Sequence, residues 1–177
     1  MQALPKLHLV PNKGEIRESY KHIQITEKYI QATDGHIVVR YPTGFYIDLG
    51  VESKDPVDFA VEPKDWEKLT VKSVQSVIID KDFETLTGTL RDGTKRTIHI
   101  VAPSAEGFRF PAFDQVWPTE SGDPVHQIGL ASEHLAKLCK VLAGPLRFKF
   151  FGECVAVEVT EITGSGRAII MPCKIKS

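Results

Sequence analysis

No run of this sequence is apolar for long enough to cross a membrane, and Met1 to Val10 lacks the long apolar core of a signal peptide. The expectation is a cytoplasmic protein with no membrane partner. Cysteine is scarce: Cys139, Cys154 and Cys173 are odd in number and widely spaced, which fits neither a disulfide framework nor a zinc pair. Three buried thiols in a reducing cell are expected. An excess of one charge is also missing, since 22 Lys and Arg face 23 Asp and Glu for a net charge of −1. That excludes a uniformly basic nucleic-acid coat and leaves only a local basic face. The six histidines show no HExxH spacing, and neither a GxSxG elbow nor a phosphate-binding glycine loop occurs. Asp80-Lys81-Asp82 reads as a solvated turn rather than a metal site, so neither metal nor cofactor is expected, and the chain does not read as an enzyme.

What remains is an ordinary globular composition, 42% hydrophobic and 25% charged over 177 residues, enough for one large domain or two small ones. Period-two alternation dominates. Ile23 and Ile25 alternate with His22, Gln24 and Thr26, and Ile98 and Ile100 alternate with Thr97 and His99, the pattern of half-buried strands. Asp92-Gly93 within 85–101 and Gly164-Ser165-Gly166 within 162–170 suit hairpin turns, so the strands are largely antiparallel. Two helices are predicted. One covers 62–71, with Pro63 just inside its start and Trp66, Leu69 and Thr70 on one side. The other covers 132–142, with Ser132 as cap, an apolar stripe of Leu135, Leu138, Cys139 and Leu142, and a stop at Gly144-Pro145.

The two helical regions repeat. DPVDFAVEPKDWEKL (55–69) and DPVHQIGLASEHLAKL (123–138) both run Asp-Pro-Val, strand, short helix, then three strands, with a period near 68 residues. FRFPAFDQVWPTESGD connects them, its prolines and polar residues loop-like and its aromatics suggesting that part of it packs. Upstream, a strand at 6–10 followed by 20–41 forms a third copy in which the helix shrinks to PNKGEIRES. The fold class is α+β: about three β-α-β-β-β units with antiparallel sheets and two helices packed on one side.

Thr33-Asp34-Gly35-His36 lies where a polar turn becomes a strand. Asp-Gly is turn chemistry. Asp34 and His36 could also form an acid–base pair, although no neighbouring Ser or Cys supplies a nucleophile, and an enzyme using His36 with a distant carboxylate stays as an alternative.

IQATDGHIVVRY, then DFAVEPKDWEKL, then FPAFDQVWP resemble, in order, the middle domain of the bacterial DNA polymerase III β sliding clamp, and RAIIMPCKI resembles the end of that family's chains. The resemblance implies a DNA-clamp-like fold, with a clamp-like domain over 1–118, whose first unit lacks its helix and whose second begins near 55, and an additional half-domain over 119–177. It implies a processivity factor that binds double-stranded DNA without sequence specificity, forms a homo-oligomer and recruits a DNA polymerase or other clamp-binding peptides. Thr33, Gly35, His36 and Val38 would form one wall of the peptide pocket, and Ile169, Met171 and Pro172 the other. Ile37 stands where the family commonly has Arg. Lys64 and Lys68, opposite Trp66 and Leu69, and Lys137 and Lys140, opposite Leu138 and Leu142, would meet DNA phosphates. A clamp-fold adaptor or decoy that binds replication peptides without closing a ring is the nearest rival.

Overall fold

The computed structural model describes residues 4–12, 14–49, 57–71, 74–80, 84–101, 109–118, 125 and 127–174. Among the described residues ten strands form two antiparallel sheets. One has seven strands in the order β4-β1-β2-β3-β10-β9-β8, and the other has three, β5-β6-β7. In chain order these are β1 Ile23–Thr26, β2 Tyr29–Thr33, β3 Ile37–Pro42, β4 Asp58–Val61, β5 Val74–Ile79, β6 Thr85–Leu90, β7 Lys95–His99, β8 Leu146–Lys149, β9 Val157–Glu161 and β10 Arg167–Ile170. Both predicted hairpins form, with Gly93 at φ +82° and its N–H bonded to the Leu90 carbonyl.

Each repeat unit contributes a three-strand meander. The first meander, β1-β2-β3, and the third, β8-β9-β10, join edge to edge through β3 and β10, with Val39 opposite Ala168 and Val38 opposite Ile169. The strand that leads the second unit, β4, adds to the outer edge of β1. The seven-stranded sheet therefore contains strands from both sides of the 118/119 division that the resemblance implies.

The helices run close to their predicted limits. Helix α1, Pro63–Leu69, has Pro at its first position and buries Trp66 and Leu69 completely. The Trp66 indole donates to the Pro5 carbonyl at 2.8 Å. Helix α3, Ser132–Val141, buries Leu138 and Val141. Ser132 is its first helical residue rather than its cap, a place taken by Ala131 with no side-chain bond. Helix α2, Phe113–Val116, is a single turn inside the connector, which periodicity over so few residues does not reveal. One core gathers side chains from both sheets, α1 and α3.

Three expectations fail, each for a physical reason. Residues 6–10 are not a strand: Leu7–Leu9 form a 3-10 turn wedged against α1 and α3, burying Leu7 and Val10. Cys139 does not join the stripe on α3, and all three cysteines are exposed free thiols, so a weakly apolar side chain did not settle which way it faces. The strand β1 is buried on both faces, because Gln31 donates to Gln24 at 2.8 Å and Gln24 donates to Asp58 at 2.7 Å. Polar groups that satisfy one another can be buried, so alternation reports polarity rather than exposure. Of the expected turn 80–82, only Asp80 is described, where its carboxylate accepts from the backbone N–H groups of Glu84 and Thr85.

Candidate functional site

The Thr33–His36 turn is built by its own side chains. Asp34, 3% exposed, accepts through one oxygen from the backbone N–H groups of His36 at 3.0 Å and Ile37 at 2.9 Å. Thr33 is also buried, and its hydroxyl donates to the Ile37 carbonyl and accepts from the Gly35 N–H. Gly35 has φ +89°, and a Cβ there would press on the Tyr20 ring at 3.3 Å. This is a turn that only Gly fits without strain.

Helix α3 meets the turn from the side. The Lys137 ammonium pairs with the second Asp34 oxygen and lies 3.4 Å from the Val10 carbonyl. The His134 ring stacks on His36 with centroids 4.9 Å apart, its Nδ1 being 3.8 Å from Asp34. Burial pushes the Asp34 carboxyl up. The Lys137 ammonium and the two backbone donors outweigh it, so the carboxyl ionises below its usual range. With its oxygens directed to Lys137 and the backbone, Asp34 serves the turn and is not poised as a base beside His36.

The two expected walls are joined by backbone: the Met171 N–H donates to the His36 carbonyl at 3.0 Å, directly beyond the Ile170–Ile37 pair. Gly35 and His36 are exposed, Met171 is 44% exposed and Pro172 is half-buried. Met171 and Pro172 line an open groove of about 470 Å³ together with Ile128, Gly129, Cys154 and Cys173. Val38 and Ile169 lie side by side but under cover, packed in a small cluster with Phe113 and Ala156 and flanked by Phe110 and Trp117.

That cover is the connector, whose residues were not assigned to the site from sequence. FPAFDQVWP itself was the available signal. Arg40 holds it down: the guanidinium is buried, sits 4.0 Å from the Trp117 ring and 4.6 Å from Tyr29, and donates to Asp114 at 2.8 Å. Glu158 accepts from the Trp117 indole at 3.1 Å and from Arg167 at 2.5 Å. Burial raises its pKa, but these two donors lower it further, so it lies below the ordinary glutamate value.

The four lysines part company. Lys64 and Lys68 project from α1 into solvent, with local partners Glu62 at 2.8 Å and Asp65 at 2.5 Å. Lys140 is exposed on α3. Lys137 does not share that outward face, because the buried Asp34 draws its ammonium back onto the sheet.

No family model matches the chain, and no curated protein does. Solved structures do match. The DNA polymerase III subunit beta of Pseudomonas aeruginosa superposes with a TM-score of 0.68 at 12% identity, over 96% of this chain and 64% of that one. The DNA polymerase sliding clamp of Bacillus subtilis gives 0.66 at 10% identity, over 97% and 61%. The Helicobacter pylori beta clamp bound to a DNA ligase peptide gives 0.54 at 13% identity, over 97% and 64%. This chain thus spans less than two thirds of the length of these clamps. Among the described residues no helix is long and apolar enough to cross a membrane. Antiparallel sheets of seven and three strands over a shared core, with few helices, give this chain the fold of the bacterial DNA polymerase III β sliding clamp.

Proposed function

We propose that this chain acts as a sliding-clamp-like processivity factor, holding double-stranded DNA without reading its sequence and recruiting a polymerase or another replication protein through a short peptide. One observation carries the reading: the exposed His36 turn and the Met171-Pro172 strand end are joined by a backbone hydrogen bond, beside an open groove, on a fold whose Helicobacter pylori example holds a ligase peptide. A flexible Met beside an apolar groove suits two or three anchor side chains and needs no reaction. An extended peptide ordered on binding reaches about micromolar affinity, because several kcal/mol go to ordering.

Of the four lysines assigned to DNA, Lys64, Lys68 and Lys140 are exposed. The surface pairs of Lys64 and Lys68 are worth about 0–1 kcal/mol each, so phosphates can compete for them. The commitment of Lys137 to Asp34 favours a second reading, an adaptor that binds peptides and holds DNA weakly or not at all.

The experiment has two arms. A labelled peptide with Gln followed by Leu and Phe is titrated against wild type and Met171→Ala, with circular dichroism reporting the fold. The truncation should cost about 1–2 kcal/mol and weaken binding roughly ten-fold. Retention on circular DNA is compared with the Lys64→Glu, Lys68→Glu, Lys140→Glu triple variant. Lost retention with intact peptide binding supports the clamp, and no wild-type retention leaves the adaptor. Equal peptide affinity for wild type and Met171→Ala removes the pocket.

A further inference from the structure

The first strand of a meander is treated differently in the first and third units. In the first, β1 carries β4 on its outer edge, with Ile23 opposite Val61 and Ile25 opposite Phe59, and these four side chains are 0–4% exposed. In the third, β8 ends the sheet among the described residues. Phe148 sits opposite Val159, so it points to the same core-facing side, yet it is 37% exposed and Phe150 is 43% exposed.

The segment that corresponds to β4 in the third unit is 127–130. It precedes α3 as β4 precedes α1, and Gly129 bridges Cys173 as Ala60 bridges Val101. Ile128 and Leu130, the counterparts of Phe59 and Val61, are only half-buried. On α3, Leu135 is half-buried where α1 has the fully buried Trp66. Among the described residues, one unit therefore presents both an edge without a strand and a segment, bridged once at Gly129, without an edge on its other side.

We infer that a second copy of this chain completes the third unit, segment 127–130 of each copy adding as a strand antiparallel to β8 of the other across a two-fold axis. The register follows from the first unit. One step on from Gln24↔Gln31, Ile23 stands beside Ala32, in line with Val39, Ala168, Val159 and Phe148. Phe148 thus occupies the place of Ile23 and takes Leu130 of the second copy where Ile23 takes Val61. Phe150 then takes Ile128, and Lys149 takes Gly129. Apolar side chains meet on the core-facing side and no like charges are opposed. Pairing β8 with itself would set Arg147 or Lys149 against a cation in every register that keeps Phe148 on the core-facing side. The exchange is isologous, so it closes at two chains. It rests on the sheet alone and not on the peptide or DNA reading.

Sedimentation velocity of the full chain over a dilution series tests the contact. Wild type should run at twice the single-chain mass or a multiple of it, and Phe148→Glu, at an already exposed site, at half the wild-type mass with an unchanged circular dichroism spectrum. A second test replaces Cys139, Cys154 and Cys173 by Ser and adds Phe148→Cys with Leu130→Cys. Mild oxidation should then give a covalent dimer that neither cysteine substitution gives alone. A wild type at single-chain mass at every concentration overturns the inference. So does a folded Phe148→Glu chain of wild-type mass, a double variant that fails to cross-link, or a covalent dimer from Phe148→Cys alone, which would mean β8 pairing with itself.

Discussion

Two buried carboxylates guard the turns that lead into the two central strands; both accept two backbone N–H groups, and they differ in their third partner. Asp34, before β3, faces a cation, Lys137. Glu161, at the end of β9 before β10, accepts from neutral donors: the Ala143 N–H at 2.6 Å, the Gly166 N–H at 2.9 Å and the Tyr41 hydroxyl at 2.9 Å. The same hydroxyl lies 3.0 Å from the Val141 carbonyl at the end of α3. Burial, and then the Glu161 charge, push the Tyr41 phenol well above its ordinary pKa, so it remains a proton donor. Both carboxylates tie a turn to α3, one within the helix and one just past its end. A charge partner tolerates small shifts, whereas a ring of neutral donors works only in one shape. The Glu161 turn should therefore be the more fragile of the two.

The largest effect is expected for Glu161→Ala, which leaves the Ala143 and Gly166 N–H groups without their acceptor, while the Tyr41 hydroxyl keeps the Val141 carbonyl. At about 1–3 kcal/mol per unsatisfied group, a loss of about 3–5 kcal/mol follows, read as a lower urea midpoint at constant slope. A loss under about 1 kcal/mol would mean that water replaces the carboxylate. Next comes Gly166→Ala, whose Cβ would stand 2.7 Å from the Tyr41 ring. Overpacking of this kind costs about 1–3 kcal/mol.

Lys137→Met should cost less, about 1–2 kcal/mol, because the pair is partly solvated. Its signature lies in pH. The depressed pKa of Asp34 adds stability that is complete above the unfolded value near 3.8 and is lost as pH falls through the lower folded value. Without Lys137 the folded value rises towards the unfolded one, and the pH dependence of stability in that acid window should shrink. An unchanged acid limb in denaturation from pH 2 to 7 would show that the backbone donors alone hold Asp34 ionised. The smallest stability effect belongs to His36→Ala. The ring is exposed, so stability should stay within about 0.5 kcal/mol of wild type, while peptide affinity falls if the turn is a wall of the site.

Local chemistry was legible in the sequence. Asp92-Gly93, Gly164 to Gly166, Pro63 and, of the stripe on α3, Leu138 and Leu142 each carry their reason within a few residues, and each lies where the pattern put it. What was hidden depends on partners far along the chain. Nothing near Lys137 announces that Asp34 will claim it, and nothing in Gln24 announces Gln31 and Asp58. The meeting of the His36 turn with Met171 was expected only through the clamp resemblance, because strand patterns do not say which strands become neighbours. The covering of Val38 and Ile169 by Phe113 and Trp117 was missed for the same reason, although the aromatics of the connector hinted that it packs.

The place of β10 in the sheet has a consequence for biosynthesis. Ribosomes release the chain from its first residue onward, yet the fifth of the seven strands in spatial order is the last of them in chain order. Until β10 emerges, β3 and β9 each present an open edge, and bringing β10 to β3 closes a loop from Ile37 to Ile170. Contacts so distant in sequence slow folding, and open edges invite pairing with other chains. A nascent chain halted before Arg167 should therefore collapse around α1 and the β5-β6-β7 sheet while its two outer meanders stay apart, which makes it the species most in need of a chaperone.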